Sequence, residues 1–237
     1  IECPDVRGPF FIVFFLVAPP ALAGETYSPL SLGMGGALRA LAHDQGAIRL
    51  NPAGLSQLST YAIEGFYERD LFRDGQTGSV SLRDSVSSII ASGLYYFYDR
   101  ATPPLDPSRP GWRRTDKEVP ENEEKRQEVT LSFSYPLIPA MLFLGAGGTY
   151  VDWKRTYEED IFETSLTGGV VFKPHPLIST GLTCRNIPLG KTLLPLSIEG
   201  GVGAAIFGLW LVEADMKAEL PEGGKTIFSF NAGTSVT

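Results

Sequence analysis

The stretch Val129-Thr130-Leu131-Ser132-Phe133-Ser134-Tyr135 sets large apolar side chains on the odd positions and hydroxyls on the even ones. Successive side chains of a strand point to opposite faces, so this period of two makes one face apolar and the other polar. The pattern recurs downstream. Phe162, Leu166, Val170 and Phe172 oppose Glu163, Ser165, Thr167 and Gly169. Leu194, Leu196, Ile198, Val202, Ala204 and Ile206 oppose Ser197, Glu199, Gly201 and Gly203. Trp210, Val212, Ala214 and Met216 oppose Glu213, Asp215 and Lys217.

A soluble β-sandwich alternates in the same way. Two features favour a transmembrane barrel. The off-face residues are mostly Gly, Ser and Thr with a few charges, as in a lumen. Aromatics gather toward segment ends, at Tyr95–Tyr98, Phe133, Tyr135, Tyr150, Trp153, Phe162, Phe172, Phe207 and Trp210, as in interfacial girdles.

The pattern predicts strands near 60–68, 79–85, 88–98, 127–135, 142–152, 161–173, 177–186, 194–206, 209–219 and 225–236. Connections 69–78, 99–126, 153–160, 187–193 and 220–224 are the longer, polar ones. Those near Val86, 136–141, 174–176 and 207–208 are tight. Long loops on one side and short turns on the other are the arrangement of outer-membrane barrels. Loop 99–126, rich in Pro and in both charge signs, is expected to be a solvated insertion.

Ahead of the strands, Phe10–Val17 is an apolar run too short to span a bilayer. Ala21-Leu22-Ala23 follows it, so residues 1–23 read as an export signal cleaved before Gly24. The chain opens on Ile1, and we expect its true start to lie upstream. Residues 24–58 then form a hatch or plug, and residues 59–237 the barrel. No long uninterrupted apolar run follows the signal, which excludes a helical membrane protein but not a barrel, whose strands hide their hydrophobicity in alternation. The formal net charge of −7, without a basic stripe, argues against nucleic-acid partners. Only Cys184 follows the signal, so no intramolecular disulfide framework is expected.

The residues also limit the chemistry. Gly223-Gly224-Lys225-Thr226 and Gly190-Lys191-Thr192 lack the earlier glycine of a phosphate loop; Glu219 and Arg185 stand there instead. His43 and His175 are far apart and no G-x-S-x-G is present, so the chain is read as no enzyme. No metal and no cofactor are expected. Arg185, Glu199, Glu213, Asp215 and Lys217 are read as a polar lumen cluster satisfying one another and water.

Between signal and strands lies Ser31–Leu55, a glycine cluster followed by a brief amphipathic helix pattern and the turn Asn51-Pro52-Ala53-Gly54. This block, S-L-G-M-G-G-A…A…D…A…N-P-A-G-L, resembles the start of the FadL-type long-chain fatty-acid transporter superfamily, most of all its shorter PorV-like relatives. Weaker likenesses follow at Ile178–Asn186 and Leu196–Val202. The resemblance implies an outer-membrane barrel of 14 strands in a didermic bacterium, its lumen closed by an N-terminal hatch. It places Gly33, Met34, Gly35, Gly36, Asn51, Pro52 and Ala53 at the hatch and its ligand. The implied function is passage of hydrophobic small molecules such as long-chain fatty acids. The alternative is a docking component for a secreted protein in a secretion system. About ten strands are visible and the chain ends without a terminal aromatic, so either it is truncated at both ends or the barrel has ten strands. Asn51 is expected to bond backbone groups, and Val129, Leu131, Phe133 and Tyr135 to face outward from a closed or nearly closed meander.

Overall fold

A computed structural model describes residues 37–41, 44–70, 75–87, 89–101, 124–154, 160–190, 194–206, 210–221 and 224–236. The signal reading, Gly33–Gly36, His43 and most of loop 99–126 lie outside them. The protein is all-β. Ten strands run β1 (Tyr61–Asp70), β2 (Gly75–Asp84), β3 (Ala91–Ala101), β4 (Glu124–Ile138), β5 (Leu142–Lys154), β6 (Ile161–His175), β7 (Ile178–Pro188), β8 (Leu196–Ile206), β9 (Trp210–Leu220) and β10 (Ile227–Val236). They form one antiparallel sheet in sequence order. Among the described residues β1 does not pair with β10, so the sheet is not closed, in contrast to the expected closure.

Alternation sorts the two faces. Val129, Leu131, Phe133 and Tyr135 are exposed, while Glu128, Thr130, Ser132 and Ser134 between them are buried. The outward face of the sheet continues through Leu94, Leu144, Leu166, Leu182, Val202 and Met216, all exposed. The buried inward face is unusually polar, with Ser79, Ser81, Glu163, Ser165, Ser179, Glu199 and Glu213 among its members. This inverts the arrangement of a water-soluble sheet.

Three sequence expectations need correction. β2 starts at Gly75, not near 79, because the ladder with Tyr67–Asp70 extends through residues that carry no apolar pattern. The first long connection therefore shrinks to 71–74. Tyr95 and Phe97 point inward and are buried, so they belong to no outward girdle. Trp153 shares their inward side, since it pairs with Arg126 two residues from buried Glu128.

What fills the inward side is the N-terminal segment. The expected amphipathic helix is a single turn, Gly46–Leu50, buried on every side, followed by a 3-10 helix over Pro52–Gln57. Leu38, Leu41, Ala47, Ile48, Leu50 and Leu55 build one apolar cluster with Ala91, Tyr95 and Phe97 of β3. Hydrogen bonds from this same segment reach β1 at Glu64, β2 at Ser81, β4 at Ser132 and β9 at Asp215. One short segment can touch strands that far apart only if the sheet curls around it.

Candidate functional site

Residues 37–41 and 44–58 are mostly irregular, so their backbone groups lack the partners that a long helix or a ladder would supply. Buried N–H and C=O groups must be paired. The wall divides this task by chemistry, carboxylates taking amide hydrogens and hydroxyls serving carbonyl oxygens.

The carboxylates sit on β8 and β9. Leu38 N and Arg39 N donate to Asp215 Oδ2 at 2.8 and 3.2 Å. Ala40 N and Leu41 N donate to Glu213 Oε1 and Oε2 at 2.6 and 3.2 Å. Arg39 Nε donates to Glu199 Oε2 at 2.6 Å, and its Nη1 lies 3.5 Å from Asp215 Oδ2. Glu199 in turn contacts Arg185 at 3.3 Å and Lys217 at 3.8 Å, and accepts from Ser197 at 3.0 Å. Three wall carboxylates thus meet three cations, one of them contributed by the N-terminal segment. Arg185, Glu199, Glu213, Asp215 and Lys217 come together as the sequence suggested. Their partner, however, is the segment at 38–41, where the sequence reading had water. Arg39 was missed: one Arg in an Ala- and Leu-rich run gives no local signal, and its partner Glu199 lies 160 positions away.

The hydroxyls take the carbonyls. Ser179 Oγ donates to Ala40 O at 2.7 Å, Ser132 Oγ to Ile48 O at 2.7 Å, and Ser134 Oγ to Ala53 O at 3.1 Å. A second ion pair lies across the lumen, where Arg49 holds Glu128 through Nε and Nη2, each at 2.9 Å. Its guanidinium carbon stands 5.2 and 5.7 Å from the ring centres of Tyr95 and Phe97, within cation–π range. Arg126 also reaches Glu128, at 3.2 Å.

Asn51 joins the two parts of the segment. Its Nδ2 donates to Arg39 O at 2.7 Å and to Val170 O of β6 at 3.3 Å, while its Oδ1 accepts from Ala53 N at 3.2 Å. Pro52 and Ala53 open the 3-10 helix beneath it and are buried. Replacing Asn51 by Ala strands two buried carbonyls, so it is expected to cost about 1–3 kcal/mol, measured by equilibrium unfolding in detergent.

Wall glycines set how closely the segment approaches. A Cβ at Gly145 would fall within contact of Pro52 C and Ala53 N, both backbone, and one at Gly181 within contact of Arg39 O and C. Neither site can accommodate a side chain without moving the segment. Cys184 is a free thiol on β7 and His175 lies in the exposed turn before β7. Among the described residues no His/Cys/Asp/Glu group could hold a metal ion.

No family model and no curated protein matches this chain. Among solved structures it is similar to the CymD monoaromatic hydrocarbon channel, with a TM-score of 0.46 and 12% identity over 88% of each chain. A likeness that slight carries no conclusion about function.

Proposed function

We propose that this chain is an outer-membrane barrel through which hydrophobic small molecules pass, with the N-terminal segment as the hatch that closes it. The observation that carries the reading is the inverted sheet, apolar outside and polar inside, whose inner face is sealed by a segment bonded to the wall through side chains. Only lipid makes such an outward face favourable. Only a segment meant to move is held by side-chain contacts where another strand or helix could have been built.

In this reading no bond is made or broken. The hatch shifts when the carboxylate clamp at 38–41 or the Arg49–Glu128 pair lets go, and a ligand follows the apolar cluster around Ile48, Leu55 and Tyr95. The sequence resemblance supplies long-chain fatty acids as the substrate class. Residues 24–36 complete the hatch, with Gly33, Met34, Gly35 and Gly36 at its ligand.

Two measurements test the two halves. Leu131→Arg puts a charge on the outward face and is expected to cost about 2–4 kcal/mol if the position lies near the bilayer midplane. A cost under about 0.5 kcal/mol in lipid vesicles would remove the membrane assignment. A cysteine at Ala47, with Cys184 replaced by Ser, should be shielded from a bulky impermeant thiol reagent in intact membranes and react on unfolding. Free labelling in the folded protein contradicts the hatch.

A further inference from the structure

Arg83 stands apart from every other buried charge described above. It lies on the inward face of β2, opposite Ala62 of β1 and Gly93 of β3, and is 6% exposed. Its Nη2 donates to Thr60 Oγ1 at 2.8 Å, whereas Nε and Nη1 have no hydrogen-bond partner among the described residues. The lumen carboxylates are committed elsewhere: Glu128 to Arg49 and Arg126, Glu199 to Arg39 and Arg185, Asp215 to Arg39, Glu213 to two amides, and Glu163 to Leu194 N.

A buried guanidinium without a counter-ion is costly, because its lost hydration is replaced by nothing. A structural role explains it poorly, since a Met or Leu would fill the space without that penalty. The surroundings indicate what the charge awaits. The space above Gly93 is filled by Ile48 and Leu55, members of the apolar cluster. A positive charge on the wall thus sits beside apolar side chains of the segment read as movable. That pairing matches a molecule with an anionic head and an apolar tail.

We propose that Arg83 is the headgroup site of the passage, binding the carboxylate of an anionic amphiphile whose tail lies along Ile48 and Leu55. The proposal rests on the passage reading and adds to it a specificity-determining residue. Nε and Nη1 donate to the carboxylate while Thr60 keeps the third nitrogen, Nη2, in place. Charge-assisted bonds of this kind are about twice as strong as neutral ones. The expected order of binding is therefore carboxylate over alcohol over quaternary amine for one tail length.

The test uses the full chain in a neutral detergent, with decanoate, decanol and decyltrimethylammonium as probes and acetate as the tail-free control. The wild-type protein should bind decanoate about tenfold or more tighter than decanol, and acetate should not displace it at equal concentration. Arg83→Met should bring decanoate to the level of decanol and leave decanol unchanged. The same variant should unfold at higher denaturant than wild type, because an uncompensated buried charge has been removed; a structural Arg83 predicts the opposite shift. Equal binding of decanoate and decanol by wild type overturns the role of Arg83 and leaves the passage reading intact. Displacement by acetate overturns the assignment to an amphiphile. If none of the three decyl compounds binds, the passage reading falls with it.

Discussion

Replacing Arg39 by Ala should destabilise the folded protein by about 3–5 kcal/mol, the usual cost of removing one partner from a buried ion pair. The estimate follows from what is left behind. Glu199 is fully buried and loses its 2.6 Å partner, keeping Arg185 and Lys217 at longer range. Asp215 keeps only the amides of residues 38 and 39, which stay in place only if the segment does. Two routes lead out of this state: the carboxylates take up protons or water, or residues 38–41 leave the wall. Adding Glu199→Gln to Arg39→Ala should recover part of the loss, since the second substitution removes a charge that the first left bare. Equilibrium unfolding of the single and double variants measures this coupling. If Arg39→Ala costs under about 0.5 kcal/mol, the value typical of an exposed pair, the clamp does not hold the segment.

The sheet was legible because period-two alternation survives in a single chain, and it marked all ten strands to within a few residues. Where both faces of a strand carry similar residues the pattern falls silent. β3 is the example: Leu94 and Tyr96 point outward, Tyr95 and Phe97 inward, and nothing local separates them. What places the inner pair is Arg49, a residue far upstream that stacks on both rings. The lumen cluster was legible for a related reason. Charged residues alternating with Trp210, Val212 and Met216 must face away from the apolar side, whatever that side meets. Their partner was not legible, because an irregular segment has no periodicity and its contacts are long-range. Closure of the sheet is likewise invisible to alternation, since an edge strand and an interior strand alternate alike. Arg83 was passed over for a different reason: an Arg among polar residues at a strand end looks ordinary until its burial is known.

The second large effect is expected at Gly145. A valine there would drive its Cβ into the backbone of Pro52 and Ala53, atoms that cannot rotate away as a side chain can. The wall is held by ladders on both sides, to β4 and β6, so the segment is what gives. Moving it outward breaks the 3.1 Å bond from Ser134 to Ala53 O and the 3.3 Å bond from Asn51 to Val170 O. Overpacking of this kind costs about 1–3 kcal/mol. The larger consequence is functional: with the seat spoiled and the sheet intact, a hatch-gated passage should become leaky. Gly145→Val should raise solute entry into proteoliposomes and open the N-terminal segment to protease, while the strands stay folded. Gly168→Ala is the matched control, one strand over, where a Cβ meets nothing within 4 Å, and it should behave as wild type. A Gly145→Val protein as tight and as protease-resistant as its control would mean that residues 52–53 do not close the lumen.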